Sequence, residues 1–153
     1  MAEWIAPIYD RKQSDVDYAK VQLKHFKENG GVTDGVDLKG CFNYNDMNRI
    51  ENNTQYLHDV LNELYYFSNM TIIQGWDMGG VPDMGTHISR VINNVSKLRN
   101  ACYEPENAPT LPETLTHYNH VNNVEKYLLA LKEMIEDMVD CFRECGTFDC
   151  KEE

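Results

Sequence analysis

The sequence predicts an all-α fold, a four-helix bundle made of two repeated helical hairpins that are related by a pseudo-twofold axis. Apolar residues recur at three- and four-residue steps in four separate stretches, and this spacing places side chains on one face of a helix. An octet in the second stretch matches an octet in the fourth at a fixed offset. Alternation of apolar and polar residues never exceeds four positions, so we expect no sheet, and residues 4–9 and 72–73 are candidates for short extended pieces.

Length, composition and charge fit one small helical domain. A chain of 153 residues with 42% hydrophobic residues can bury one core, so we expect a single domain over residues 1–153, with a flexible tail at 146–153. The net charge is −11, and lysine and arginine do not cluster as phosphate neutralisation requires; we expect neither nucleic acid nor membrane as a partner. No apolar run approaches the roughly 20 residues that span a bilayer, and the first residues show no secretory signal.

The first predicted helix begins at Ser14, whose hydroxyl can cap it, while Asp15 and Asp17 favour the positive end of the helix. Residues 29–31, Asn-Gly-Gly, are the predicted stop, because glycine readily adopts the left-handed conformation that ends helices. The apolar residues between these signals form one stripe, predicted to face the core, which consists of Val16, Ala19, Leu23 and Phe26.

The second predicted helix is capped by Asn43 or Asn45, with Asp46 in its first turn. Its end is predicted at residues 65–67, before an apolar loop. Polar residues, Asn53 among them, fill the side that is predicted to face solvent. The predicted core stripe consists of Met47, Ile50, Leu57, Val60, Leu61 and Leu64.

The third and fourth predicted helices are separated by a loop that contains three prolines. The third starts near Pro82 and Asp83, since proline is common at the first position of a helix. Its stripe consists of Met84, Ile88, Val91, Ile92, Val95 and Leu98. The fourth runs from about Asn119 to Cys145 and is closed by Gly146. Its stripe consists of Val121, Val124, Leu128, Leu131, Met134, Ile135, Met138 and Phe142.

An internal repeat links the second helix to the fourth. Residues 44–51 and 118–125 share the pattern Tyr-Asn-x-apolar-Asn-x-apolar-Glu at an offset of 74, and the apolar positions after them stay in register. Self-similarity at a fixed offset indicates a duplicated unit, so we expect one repeat over about 9–67 and another over about 76–145. One hairpin cannot bury both of its stripes alone, whereas two hairpins packed about a pseudo-twofold axis can.

Four polar residues occupy matching positions of the two octets. Asn48 and Asn122 lie at the edge of the apolar stripes, with Glu51 and Glu125 one turn later. In the structural interpretation, each amide holds the loop that precedes its helix and the glutamate assists, because a buried amide must be hydrogen-bonded. In the functional interpretation, the pair binds a ligand. The structural interpretation is favoured, since the duplicated positions supply no His, Cys or converging carboxylates.

No pattern in the chain points to catalysis or to a cofactor. The sequence lacks the common nucleophile, zinc-helix, phosphate-loop and dinucleotide-binding motifs. Cys141, Cys145 and Cys150 loosely resemble a metal spacing, but no second pair completes a set of four ligands. We interpret Cys141 as a core residue and Cys150 as part of the tail, and we expect no enzyme, no metal and no cofactor.

Apolar residues outside the stripes are the candidates for contact with other proteins. They lie before the first helix and in the loop after the second, and they are Trp4, Ile5, Ile8, Phe67, Met70, Ile72 and Ile73. Aromatic and methionine side chains are enriched at the centres of interfaces, which favours docking of at least one of these segments on a neighbouring chain. The alternative is that both segments fold back as lids over the ends of the bundle.

Three segments resemble a known family: residues 8–17, 39–51 and 122–126. They are similar to a helical domain of tail-region structural proteins from phages and prophages of Gram-positive bacteria such as clostridia. The resemblance covers most of the chain, from Ile8 to Met138. The chain departs from the family in a Gly-rich connector between the first two helices and in Lys12, where threonine is usual.

The resemblance implies a structural role in a virion, at the tail, the baseplate or a fibre attachment, and it transfers no catalytic residue to this chain. It implies partners among other phage structural proteins or further copies of the chain, and a location in the virion after synthesis in the host cytoplasm. The alternative function is an intracellular helical protein-binding module or a phage-encoded regulator of a host protein. An enzyme ranks third.

Overall fold

The chain forms four α-helices in a computed structural model that describes residues 2–30, 38–77 and 82–145, without the side chains of 142–145. No strand occurs within these ranges. A π-helical turn, Met84–Ile88, leads into the third helix. The helices are α1 (Gln13–Asn29), α2 (Tyr44–Glu63), α3 (Ser89–Ala101) and α4 (Tyr118–Cys145). The all-α prediction is therefore confirmed for the described residues.

The core lies between α2, α3 and α4, which pack against one another. The largest fully buried apolar side chains come from all three helices and from the π-helical turn, and they are Tyr127, Met47, Ile50, Leu57, Leu61, Ile88, Leu98, Leu128, Leu131 and Ile135. The predicted stripes of these helices match this core at most positions. Val60, Leu64, Met134 and Met138 are half-buried at its edge, and Met84 is exposed.

Helix α1 contributes no residue to this core, so the prediction that its stripe faces the core is wrong. Leu23 is 41% exposed and Phe26 is 46% exposed, and Ala19 is the buried residue of the helix. Instead, an extended N-terminal segment, residues 2–11, lies along α2 and α4, where its backbone is hydrogen-bonded by their side chains. Periodicity reveals that a helix has an apolar face but does not identify what that face packs against.

The predicted cap of α2 at Asn43 is confirmed. The predicted start of the third helix near Pro82 and Asp83 corresponds to the π-helical turn that leads into α3, and Asp83, not Pro82, is in its capping position. The side chain of Asn43 accepts hydrogen bonds from the backbone N–H groups of Asn45 and Asp46, and Asp46 accepts one from the N–H of Asn43 at 3.0 Å. This reciprocal arrangement is a capping box, which satisfies donors that the first helical turn leaves unpaired. Asp83 accepts from the N–H of Thr86 at 2.6 Å, and these hydrogen bonds hold the pKa of the Asp83 carboxyl below its ordinary value.

The start of α1 differs from its prediction. The helix begins at Gln13, with Lys12 in the capping position, so the expected cap at Ser14 is wrong. Asp15 accepts a hydrogen bond from the backbone N–H of Lys12 at 2.8 Å, which replaces a serine cap with a first-turn carboxylate. The helix ends as expected, because Gly30 has φ of 63° and donates its N–H to the carbonyl of Phe26. The predictions for Gly31, Gly146 and the tail at 146–153 lie outside the described residues.

The loop before α2 approaches the backbone of α1 so closely that Gly40 has no room for a side chain. A Cβ atom at Gly40 would lie 2.1 Å from the carbonyl oxygen of Asp15 and 2.4 Å from the nitrogen of Val16. Both are backbone atoms, which cannot rotate away as the end of a side chain could. The contact therefore ties the first turn of α1 to the loop before α2.

We expect Gly40→Ala to lower the free energy of unfolding by about 1–3 kcal/mol, because the added methyl group forces the loop and α1 apart. Thermal unfolding followed by circular dichroism would measure the change. Gly85→Ala is the matched control, since its Cβ would meet just one atom, Asp83 Oδ2, at an ordinary 3.6 Å. Equal melting temperatures for the two variants would contradict the close approach.

Candidate functional site

A cluster of charged side chains is buried where the N-terminal segment meets the first turns of α2 and α4. We call it the buried polar cluster and define it as Arg11, Asp46, Arg49, Asn122 and Glu125, each at most 8% exposed. Arg11 Nη2 lies 2.6 Å from Asp46 Oδ1, and Arg49 Nη2 lies 2.5 Å from the same oxygen. The capping carboxylate of α2 therefore also joins two arginines.

Glu125 is the acceptor on the α4 side of the cluster and is fully buried. Arg49 Nε lies 3.1 and 3.0 Å from its two oxygens, and Arg11 Nη2 lies 3.4 Å from one of them. The backbone N–H of Ile8 donates to Glu125 at 3.0 Å. Burial lowers the pKa of Arg49, but Glu125 and Asp46 outweigh burial and leave that pKa above its ordinary value. Two arginines and two carboxylates thus balance each other inside the protein.

The two matching asparagines act as backbone clamps, by which we mean one side-chain amide bonded to both polar groups of one remote residue. Asn48 donates to the carbonyl of Trp76 at 2.8 Å and accepts from its N–H at 2.9 Å. Asn122 does the same for Arg11, at 2.9 and 3.3 Å. The sequence interpretation assigned each amide to the loop before its own helix. The structure instead pairs Asn48 with the segment before α3, and Asn122 with the segment before α1.

A third backbone clamp was missed in the sequence. Asn53 donates to the carbonyl of Ile5 at 2.8 Å and accepts from its N–H at 2.9 Å. The amide is fully buried, although the polar side of α2 was predicted to face solvent. Nothing in the local sequence separates Asn53 from the other polar residues on that side of α2, because its partner lies 48 residues away.

Glu51 is not part of the buried polar cluster, since it pairs with a different arginine. Its two oxygens accept from the guanidinium of Arg90 on α3, with a distance of 3.0 Å to Nη1. Arg90 Nη1 and Asn94 Nδ2 both donate to the carbonyl of Thr71 at 2.8 Å. These bonds fix the segment after α2 against α3. Asn122 and Glu125 thus both hold the N-terminal segment, Asn48 holds the segment before α3, and Glu51 pairs with a side chain of α3. The four predicted polar residues do not converge on one ligand site.

We expect Asn122→Ala to cost about 1–3 kcal/mol, because both polar groups of Arg11 lose their partner in a buried place. Hydrogen exchange at the Arg11 amide would report the loss locally, and chemical denaturation would report it globally. Asn123→Ala is the matched control on the next residue, since its amide makes a longer, exposed bond of 3.4 Å to Thr110. Equal exchange rates at Arg11 in the two variants would reject the clamp.

The candidate interface residues divide between half-buried and exposed side chains. Trp4 packs edge-on against Tyr56 at 5.7 Å between ring centroids, and both Trp4 and Met70 pack against the core. Ile8 and Ile72 are also half-buried. The exposed candidates are Ile5 at 45%, Phe67 at 72% and Ile73 at 38%. Parts of both segments therefore cover the bundle as lids, and the docking hypothesis for the exposed residues stays a prediction.

The described thiols do not form a reactive or metal-binding group. Burial raises the pKa of Cys41 and of Cys102, which disfavours the nucleophilic thiolate. Cys141 is exposed, so its interpretation as a core residue is wrong. The side chains of Cys145 and Cys150 lie outside the described part. Within that part, no group of three or more His, Cys, Asp or Glu is arranged to hold a metal ion.

A cavity of about 340 Å³ adjoins the buried polar cluster between α1, the loop before α2 and the start of α4. Arg11, Lys20 and His117 are among its lining residues. The guanidinium of Arg11 is already paired with two carboxylates, so it offers no uncompensated charge to the cavity. The buried polar cluster beside the cavity therefore holds backbone segments, and its charges are paired within it.

Comparisons with protein-family models, with curated proteins and with solved structures find no match. None of the helices within residues 2–30, 38–77 and 82–145 combines the length and hydrophobicity needed to cross a bilayer. The functional proposal therefore depends on the geometry of the molecule and on the sequence resemblance.

Proposed function

We propose that this chain is a structural protein of a phage virion, located at the tail, the baseplate or a fibre attachment and acting through protein–protein contacts. The observation that supports the proposal is that all three segments of the resemblance meet in the buried polar cluster. Residues 8–17 supply Arg11, residues 39–51 supply Asp46 and Arg49, and residues 122–126 supply Asn122 and Glu125.

The role of these residues in the cluster explains why the resemblance involves no catalytic group. Each one either pairs with a buried charge or holds a backbone segment, so these residues stabilise the fold. A buried charge without a partner destabilises the folded state, so the two arginines and the two carboxylates stabilise the fold only together. A domain whose fold is stabilised by these residues is suited to keep one conformation while its surface binds neighbouring proteins.

The surface supplies apolar groups for such contacts. Ile5, Phe67 and Ile73 are exposed large side chains in the two segments outside the helical stripes. Aromatic and large apolar side chains are enriched at the centres of protein interfaces. The partners that we propose are other virion proteins or further copies of this chain.

We also propose that the two halves are a duplicated unit in which α2 and α4 are related by a pseudo-twofold axis. Asn48 and Asn122 support this idea, because they match in the repeat and form the same pair of bonds with the segment before α3 or α1. The first helices of the halves differ, since α3 packs in the core and α1 does not. Superposition of α2 on α4 in an experimental structure tests the duplication. If Asn48 and Asn122 do not then occupy equivalent positions, the duplication is rejected.

Mass spectrometry of particles that have been purified by sedimentation tests the virion role. A structural component is expected to copurify at a fixed ratio to the major tail protein and to survive a high-salt wash. A regulator of a host protein would be absent from particles and recovered instead in the soluble fraction of infected cells. Absence from purified particles would therefore reject the proposal and favour the regulator.

A second arm of the experiment uses the exposed apolar residues. The double variant Ile5→Ser and Phe67→Ser removes two exposed side chains while leaving the backbone bonds of Ile5 to Asn53 in place. We expect normal folding and reduced incorporation into particles. Tyr103→Ser is the control, because Tyr103 is 72% exposed but lies outside both segments. Incorporation at the wild-type level would exclude Ile5 and Phe67 from the docking surface.

A further inference from the structure

The second half of α1 presents two large apolar side chains that remain nearly half exposed. Leu23 is 41% exposed and Phe26 is 46% exposed, and their spacing of three residues places them side by side on the helix. Lys20, Lys24 and Lys27 follow one edge of this pair at helical spacing. We call these five residues the α1 face. It is a small apolar patch with a basic border on a protein whose net charge is −11.

An acidic groove lies between the C-terminal halves of α2 and α4. It has a volume of about 610 Å³, and three of its seven described lining residues are acidic, one of which, Glu136, pairs with Lys132 at 2.5 Å. Three of the lining residues, Val60, Leu64 and Val139, are aliphatic, so the groove offers both acidic and apolar side chains to the α1 face. We call it the acidic groove, and it is lined by Tyr56, Val60, Glu63, Leu64, Glu136, Val139 and Asp140.

The groove lies on the side of α2 that carries the N-terminal segment. Asn52, Tyr56 and Glu63 share this side, because they are spaced by whole helical turns. Asn52 donates to the carbonyl of Glu3 at 2.6 Å, and Tyr56 contacts Trp4, so Glu3 and Trp4 of the N-terminal segment lie beside the groove. Helix α3 packs against a different side of α2, where Glu51 meets its arginine. Helix α3 therefore leaves the groove uncovered.

We propose that the α1 face of one copy of this chain docks in the acidic groove of a second copy. Leu23 and Phe26 would lie against Val60, Leu64 and Val139, and the three lysines would approach Glu63, Glu136 and Asp140. An amphipathic helix in an apolar groove is a recurrent mode of recognition, in which neighbouring residues of one helical face serve as the contact.

Charge is the reason why a second copy is the favoured occupant. Two copies that each carry a charge of −11 repel one another, so association requires a local region of opposite sign. The second half of α1 supplies such a region, with three lysines and one glutamate between Lys20 and Asn29. Because each copy carries one face and one groove, reciprocal docking closes a dimer and one-way docking extends a chain.

The inference goes beyond the proposed function, because it requires two copies of this chain and no other virion protein. It is tested on the purified full chain, so its failure is distinguishable from failure of the virion role. Sedimentation velocity across a wide range of concentration is expected to show self-association of the wild type. A wild type that stays monomeric over the whole range overturns the inference.

Charge reversal tests the pairing of face and groove. The face variant is Lys20→Glu, Lys24→Glu and Lys27→Glu, and the groove variant is Glu63→Lys, Glu136→Lys and Asp140→Lys. Each variant alone is expected to self-associate about tenfold more weakly than the wild type, because like charges then meet. An equimolar mixture is expected to associate like the wild type, because the acidic face meets the basic groove. A mixture that associates no more tightly than its components overturns the inference.

A second pair of variants keeps the test valid if a charge-reversed protein fails to fold. Leu23→Ser with Phe26→Ser alters side chains outside the core and is expected to weaken self-association about tenfold. Val21→Ser is the matched control, since Val21 is 63% exposed on the opposite side of α1. Circular dichroism checks that both remain helical. Equal weakening by the control, or none by the double variant, overturns the inference.

Discussion

Glu125→Gln is expected to lower the free energy of unfolding by about 3–5 kcal/mol, the typical cost of leaving a buried charge without its partner. The amide keeps the shape of the side chain but removes its negative charge. Arg11 and Arg49 would then share a single carboxylate, that of Asp46, in a place where each is at most 8% exposed. Urea denaturation with unchanged slope would measure the loss.

Glu28→Gln is the matched control for this effect. Glu28 pairs with Lys24 at 3.8 Å on the exposed surface of α1, so its loss is expected to change stability by less than about 1 kcal/mol. The double variant Arg49→Met with Glu125→Gln completes the test. It leaves Arg11 and Asp46 as a balanced pair, so it should be more stable than Glu125→Gln alone. Similar losses for Glu125→Gln and Glu28→Gln would show that the cluster is not buried.

Leu57→Ala and Leu131→Ala are each expected to cost about 2–5 kcal/mol, since each removes a fully buried side chain and leaves a cavity in close packing. Thermal and chemical unfolding of both variants would measure the cost. Leu23→Ala, with a side chain that is 41% exposed on α1, is the control and should be close to neutral at low protein concentration. Comparable losses for all three leucines would place α1 in the core and contradict the described fold.

The helices of the core could be predicted because their signals are local. In α2, the Asn43 cap and the stripe that contains Leu57 lie within a few turns of one another, so the sequence alone defines both. A proline likewise predicted a helix start near Pro82 and Asp83, and the helical stretch begins at Met84, although its first turn is a π-helix. Periodicity of 3.6 residues reports which side of a helix is apolar, and for three helices that side packs in one core.

The position of α1 could not be predicted, because its apolar face has the same pattern as a core helix. The sequence does not reveal that residues 2–11 take the place along α2 and α4 that a fourth helix would need. That choice depends on remote partners, such as Asn53 for Ile5 and Glu125 for Ile8. Asn53 lies 48 residues from Ile5 and Glu125 lies 117 residues from Ile8, and contacts over such separations produce no periodic pattern in the sequence.

The candidate site was predicted in part. Asn48, Asn122, Glu51 and Glu125 were singled out by the repeat, and the structure gives each of them several bonds to remote groups. The arginines that pair with the glutamates were missed, because arginine is mostly exposed in proteins and the sequence does not show which partner would bury it. A search for acids and bases near the duplicated octets would have found Arg49 but not Arg11.

The path of the N-terminal segment has a consequence for synthesis on the ribosome. Residues 2–11 are made before α4, and the groups of α4 that hold Ile8 and Arg11 follow 117 and 111 residues later. Until then Ile8 and Arg11 lack these partners, whereas Asn53 and Asp59 of α2 can already hold Ile5 and Ala2. We therefore expect the N-terminal segment to attach in two stages, first to α2 and then, after synthesis of α4, to Glu125 and Asn122.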